Sequence, residues 1–369
     1  LVDEFQDADA TQLDWVLAHA IGGVRITCVG DDDQSIFGFR FGQGYSGMRS
    51  LASHTKAEVI TLDTTYRCCK DVVLHASCLI GRNTERVAKN IRTANTASGS
   101  VERRDYLSFG DEVRDLVTSL RDRPAGESAA VLSRTNAILR DIATELEAEG
   151  VPYRCSKEAS IWSGGAPGMV KGLIGASQGK EPKGITMALA ARGFTYDSTA
   201  AAMEALKAGS GSFGDLLNNP RWTKSLSEPQ QELWMQMRPH LATLAQRASG
   251  PAMDFVREAI RFITPSGTWI AHPELLKAVE KILSGFPPTL PEMHRKLERA
   301  ARADGGTQDT GPEPIILMTL HASKGLEWDR VWMPAMRQGV LPSAKTSDVE
   351  EERRLCYVGM TRARRFLTV

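Results

Sequence analysis

The stretch VGDDDQSIFGFR at residues 29–40 decides how this chain is read. Val24–Val29 is a β-rich run closed by Gly30, and three aspartates, Gln34 and Ser35 follow it directly. A glutamine just past a glycine at a strand end can sense a γ-phosphate in an α/β nucleotide-binding fold. Phe37, Phe39 and Arg40 then offer two aromatic faces beside a cation. A single-stranded nucleic-acid track needs that composition, because stacking contributes about 1–3 kcal/mol per base and tolerates any sequence. Taken alone, a helix cap followed by core phenylalanines accounts for the same residues equally well.

Upstream, LVDEFQD at 1–7 places Asp3 and Glu4 after an apolar pair at a strand end. An α/β nucleotide-binding fold puts there the carboxylate that holds Mg²⁺ and the neighbour that activates water. In isolation two adjacent acids are more often a solvated turn or a helix cap.

Outward from these motifs the rhythm is α/β. A helix is expected over Thr11–Ala20, a second series begins near Val59–Leu62, and a helix follows around Asp71–Ile80. Ala129–Leu132 reads as a strand, and Asn136–Glu149 as a helix stopped by Gly150. From about Ser163 to Pro314 the texture becomes helical, between SGGAPG and ADGGTQDTGPEP, which read as linkers. Trp162, Trp222, Trp234 and Trp269 in or beside this stretch are expected in helical cores. Ile315–Leu320 and Arg330–Pro334 return to short strands, so an interrupted α/β unit resumes.

At 369 residues two or three compact units are expected. Hydrophobic content is 42%, and no apolar run approaches bilayer length, which argues against a membrane role. Lys plus Arg and Asp plus Glu both number 45, so no global field draws the chain onto nucleic acid and any such contact is a local groove. The cysteines at 28, 68, 69, 78, 155 and 356 form no CxxC pair and no zinc-like cluster, and free thiols in a reducing cytosol are expected. The start, without Met or a signal-peptide pattern, reads as a cut, and a cytoplasmic location is expected.

VDEFQD at 2–7 and VGDDDQSIFGFR at 29–40 look like motifs II and III of the UvrD/Rep/PcrA superfamily 1 DNA helicases. Thr65-Tyr66-Arg67 resembles motif IV and LSRTN at 132–136 a strand-to-helix DNA-contacting segment. LMTLHASKGLEW at 317–328 resembles motif V, and EERRLCYVGMTRA at 351–363 motif VI. The resemblance implies a RecA-like (P-loop NTPase type) parallel-sheet α/β domain with a mostly helical inserted subdomain, plus the tail of a first RecA-like domain. Residues 1–62 would be that tail, 63–164 and 310–369 the second RecA-like domain, and 165–309 a helical 2B-type insertion.

The same resemblance implies an ATP-dependent 3′→5′ DNA helicase or translocase with ATP and Mg²⁺ as cofactors. Its partners would be single-stranded DNA and duplex/single-strand junctions, together with repair or replication proteins as a class. It carries roles onto named residues. Asp3 would bind Mg²⁺, and Glu4, Gln34, Arg67 and Arg362 would serve catalysis, with Arg362 as an arginine finger in cis. Tyr66, Gly325 and Glu327 would contact ATP. Phe37, Phe39, Arg40, Asn136, Thr319 and His321 would contact DNA.

The sequence departs from the family in several places. No GxxxxGK[ST] occurs in these residues, and Lys324, beside Gly325, lacks the upstream glycine of a P-loop. Little or no ATP turnover is therefore expected of these 369 residues alone, and a piece of a longer protein is the economical reading. Phe39 stands where relatives commonly have Trp, Phe37 where they often have Tyr, and Cys68 where Ser follows the YR step. Two other readings stay open: a non-catalytic helicase-like binding module, and the motor of an AddA/RecB-type helicase–nuclease.

Overall fold

A computed structural model describes residues 1–264, 273–302 and 313–369. Along the chain run α1 (Ala10–Ile21), α2 (Gly44–Thr55), β1 (Thr64–Thr65), α3 (Lys70–Ile80), β2 (Arg92–Thr93) and β3 (Ser100–Glu102). Then come α4 (Phe109–Arg121), β4 (Ala129–Ser133), α5 (Asn136–Ala148) and β5 (Tyr153–Cys155). Among the described residues nine α-helices follow: α6 (Gly165–Ser177), α7 (Lys183–Ala191), α8 (Tyr196–Ala208), α9 (Phe213–Leu217), α10 (Pro220–Lys224), α11 (Glu228–Arg247), α12 (Ala252–Ile263), α13 (Pro273–Ser284) and α14 (Leu290–Arg302). The chain closes with β6 (Ile315–Thr319), β7 (Trp328–Trp332), α15 (Val349–Met360) and β8 (Ala363–Thr368).

These elements fall into two compact units. The first comprises Leu1–Phe109, Arg123–Thr135 and Met318–Val369; the second comprises Gly110–Asp122 and Asn136–Leu317. In the first, β3, β8, β7 and β4 lie side by side in that order, every pair parallel, with Ala129 opposite Arg330 and Val101 opposite Leu367. All five residues of β4 are buried, as the near-continuous apolar run of a parallel strand covered on both faces requires. Helices α3 and α15 pack on this sheet and on each other. The chain is α/β with parallel sheets, as expected.

Local sequence accounts for the helix starts. Asp9 caps α1 through a reciprocal box with Gln12: its Oδ1 accepts the Gln12 N–H at 2.8 Å, and Gln12 Oε1 accepts the Asp9 N–H at 3.0 Å. The β-rich run at 24–29 makes one parallel bridge, Val2 to Cys28, and is otherwise not a strand. Val59, Ile60 and Leu62 are not a strand either and stand 70, 74 and 79% exposed. Apolar composition alone does not make a ladder; the backbone needs a partner strand, and among the described residues none pairs with 59–62.

In the second unit β5 and β6 pair in parallel, with Tyr153 opposite Ile315. Its helices pack closely where small residues permit. A Cβ on Gly184 of α7 would lie 2.1 Å from the Gly172 backbone of α6, so both crossing positions need glycine. Phe194, Trp222 and Trp234 form an aromatic core with centroids 6.0 and 4.6 Å apart, and Trp222 Nε1 donates to the Ser198 carbonyl at 3.0 Å. Trp162 is buried as well, whereas Trp269 and most of the glycine-rich linker before Pro314 lie outside the described residues.

Candidate nucleotide and nucleic-acid site

The first unit gathers all the expected site residues except Asn136, and its backbone explains how. Val2 donates to Thr27 at 2.9 Å, Val29 to Val2 at 2.8 Å and Phe5 to Val29 at 2.9 Å, so the 1–7 and 27–34 segments run together. Gly30 permits the approach, since a Cβ there would lie 2.7 Å from Gln6 Oε1. Gln6 is fully buried; its Oε1 accepts the Asp31 N–H at 2.9 Å and its Nε2 donates to Glu4. Glu4 sits in the left-handed region at φ 50°, and its N–H donates to Asp3 Oδ1 at 2.9 Å. Both acids are exposed.

Lys324 binds this end of the site together. Its Nζ lies 2.5 Å from Asp7 Oδ2, 3.1 Å from Glu4 Oε2 and 3.1 Å from the Gln34 carbonyl oxygen. Burial raises the Asp7 pKa and the Lys324 hydrogen bond only partly offsets it. Lys324 is thus a bridge from the motif V loop to the first two motifs.

Gln34 and Arg362 meet directly. Arg362 Nη2 donates to Gln34 Oε1 at 3.3 Å, while Gln34 Nε2 donates to Asp31 Oδ2 at 2.7 Å. Arg362 is 1% exposed and is held by the carbonyls of Val358 at 2.9 Å and Leu326 at 3.3 Å. Burial, then the nearby Arg67 charge, lowers its pKa to about 10, and it stays a cation at neutral pH.

Arg67 reaches the same place because its neighbours are stitched to the turn that holds Arg362 and to the start of β8. The Cys69 N–H donates to the Arg364 carbonyl at 2.8 Å and the Cys68 thiol to the Thr361 carbonyl at 3.3 Å. Burial pushes the Cys68 thiol up to about 11, so it remains protonated and able to donate as a serine hydroxyl would. Arg67 pairs with Glu327, and Arg364 holds the other Glu327 oxygen from Nη2 at 2.6 Å and Nε at 3.0 Å. The Arg364 hydrogen bond, against some desolvation and with help from Arg67, keeps the Glu327 pKa low. Gly325 adopts φ +85°, with open space where a Cβ would stand, and Tyr66 is 79% exposed.

The aspartates at 31–33 find cations that no spacing announces. Lys89 is ion-paired with all three, and Arg86 grips Asp33 at 2.9 and 2.7 Å. Burial alone would lower the Lys89 pKa, but Asp31 and Asp33 raise it. Burial likewise pushes Asp31 up, and Lys89 more than offsets it.

A second group forms an aromatic face. Phe37 and Phe39 meet edge to face at 5.9 Å, and His321 sits 5.8 Å from Phe39 and 6.3 Å from Phe37. The Arg40 guanidinium lies 5.4 and 5.5 Å from the two phenyl centroids, and Lys324 Nζ 5.4 Å from Phe37. Phe39 is 61% and Phe41 79% exposed. Burial, then the Arg134 charge, lowers the His321 pKa to about 4, so the ring is neutral at physiological pH. Thr319 turns the chain toward it, its Oγ1 accepting the Ala322 N–H at 3.3 Å. Asn136 belongs to the second unit, as the half-buried first residue of α5.

Gln34, Arg67, Arg362 and Glu327 thus stand together, as do Phe37, Phe39, Arg40 and His321, with Lys324 touching both groups and Glu4. Lys324, Gln6, Lys89 and Arg364 were not among the expected site residues. Among the described residues no helix is long and apolar enough to cross a membrane.

Comparison with known proteins identifies the family. The UvrD-like helicase C-terminal domain model matches residues 60–163 and 275–369, and the UvrD/REP helicase N-terminal domain model matches residues 1–48. The chain is 28% identical to DNA helicase II of Escherichia coli (strain K12), with 100% of the chain and 55% of the relative covered. It is 24% identical to the ATP-dependent DNA helicase PcrA of Leuconostoc citreum, covering 100% and 53%. Against the ATP-dependent DNA helicase srs2 of Schizosaccharomyces pombe it is 24% identical, covering 100% and 46%. The chain spans about half the length of the curated relatives it matches.

Proposed function

Since the chain belongs to the UvrD-like helicase family, we propose that it is part of an ATP-dependent 3′→5′ helicase acting on single-stranded DNA and duplex junctions in the cytoplasm. The observation that carries this reading is the hydrogen bond between Gln34 and the buried cation Arg362, beside Arg67 and one lysine away from the Phe37–Phe39–His321 face. Groups suited to a γ-phosphate and groups suited to a base thereby share one scaffold.

In this proposal residues 1–62 close a first RecA-like domain, 63–164 and 310–369 form a second, and 165–309 are a 2B-type insertion. Arg67 and Arg362 stabilise charge on the transferring phosphoryl group, and Gln34 links that event to the aromatic face. Tyr66 presents its ring to the adenine, while Gly325 and Glu327 approach the ribose and phosphates. Mg²⁺ is a hard cation that takes carboxylate oxygens, and the exposed carboxylate of Asp3, one residue past the Val2–Cys28 bridge, fits it. When bound, the ion would neutralise phosphate charge, while Glu4 positions the attacking water. Phe37 and Phe39 stack on bases, and Arg40, Thr319, His321 and Asn136 hold the strand. The relatives' names support ATP and DNA as ligands.

The test is fluorescence anisotropy with labelled oligothymidine. The chain should bind single strands with little sequence preference, and Phe39→Ala should lose about 1–3 kcal/mol of affinity. Arg40→Ala should instead flatten the salt dependence. Binding unaffected by either change would remove the nucleic-acid half of the proposal. These 369 residues alone should turn over little ATP with or without DNA.

A further inference from the structure

We propose that the second unit holds a site for a divalent transition-metal ion, of which Zn²⁺ is the probe, built from His294, Glu298 and Glu181. His294 and Glu298 stand four apart on α14 and so share one of its faces. Glu181 comes from the turn before α7, where its side chain lies over Gly175 of α6; a Cβ there would be 2.8 Å from Glu181 Cβ. One potential ligand atom from each residue lies within 4.8 Å of the other two, and among the described residues this is the one such group found.

The imidazole is what marks a site and not merely a pair of acids. His294 is fully buried, and neither ring nitrogen has a hydrogen-bond partner. Its Nε2 points toward Glu181 Oε1 at 3.6 Å, beyond hydrogen-bonding reach. A buried ring nitrogen left unpaired costs about 1–3 kcal/mol, so a nearby Lewis acid gives it a reason to be there. Ligand atoms around zinc sit about 3.3–3.6 Å apart, the edge of a tetrahedron with bonds of about 2.0–2.2 Å, and the present group reaches it by closing up by at most about 1.5 Å through side-chain rotation. One imidazole with two carboxylates favours Zn²⁺ and its neighbours over Mg²⁺, which prefers oxygen ligands and retains water.

Lys171 faces the same carboxylate, with Nζ 3.2 and 3.4 Å from the two Glu181 oxygens. Each carboxylate oxygen has two acceptor directions, so the ammonium orients Glu181 without using all of them. Occupation would tie α14 to the α6–α7 turn.

The experiment uses the 369-residue chain after chelator treatment, with Zn²⁺ affinity measured by competition against a chromophoric chelator and Co²⁺ as a spectroscopic probe. About one zinc per chain is expected, with a cobalt spectrum free of thiolate charge transfer, since six free cysteines compete. Glu298→Gln and Glu181→Gln should each weaken binding at least ~10-fold. These two variants carry the test because replacing fully buried His294 can unfold the helices; their metal-free folding is checked by circular dichroism. No saturable zinc binding by the folded chain, a thiolate band, or unchanged affinity in both variants would overturn the proposal.

Discussion

Gln34 Oε1 accepts a 3.3 Å hydrogen bond from Arg362 Nη2 across a sequence separation of most of the chain. The two ends unite because Arg362 is buried deeply enough that its remaining N–H groups must bond inside the protein, to Val358 and Leu326.

Arg362→Ala should therefore act first on stability, removing packing and the guanidinium donors to the Val358 and Leu326 carbonyls, of which Val358 keeps the Thr361 hydroxyl, at about 3 kcal/mol. Gln34→Ala removes one of several partners and should cost about 1 kcal/mol. Urea unfolding followed by circular dichroism separates the two; equal losses would contradict the asymmetry.

Lys324 and Asp7 should be strongly coupled. Lys324→Ala leaves an acid whose pKa burial already raises, and a loss of about 2 kcal/mol is expected, with Asp7→Asn costing less. A double-mutant cycle should return a coupling of about 1–3 kcal/mol. Additive losses would mean that the bridge contributes nothing.

His321 predicts a pH dependence whose sign is fixed. The folded ring has a pKa of about 4 against the usual 6.5, so between those values the unfolded chain takes up a proton that the folded chain refuses. Stability contributed by the neutral ring is complete above pH ~6.5 and is lost as pH falls toward 4. His321→Gln should flatten the difference by on the order of 1–3 kcal/mol, and proton NMR should place the ring's titration well below the usual value.

What the sequence made legible follows from where each signal resides. The strand expected at 129–132 is β4, and the helix expected at 136–149 is α5, because five buried residues and a helix stopped at a left-handed Gly150 are local signals. Phe37 with Phe39, and Gln34 with Arg362, were reachable through the motifs. The Lys89 pairs with Asp31, Asp32 and Asp33 were not, since ion pairs closed by tertiary folding leave no periodic mark. The apolar run at 59–62 misled for the opposite reason, its composition suiting a strand that lacks a described partner.

Glu327 stands between Arg67 and Arg364, and its charge also steadies Arg362. The acid works as a keystone, with unequal tolerance on its two sides. Arg67→Gln leaves Glu327 still held by Arg364, and folding should barely change. Glu327→Gln instead sets three guanidiniums against one another, so its melting temperature should fall further and recover with added salt, which screens like charges. A single conservative exchange of one oxygen for one NH₂ should thus disturb this corner more than deleting a whole arginine.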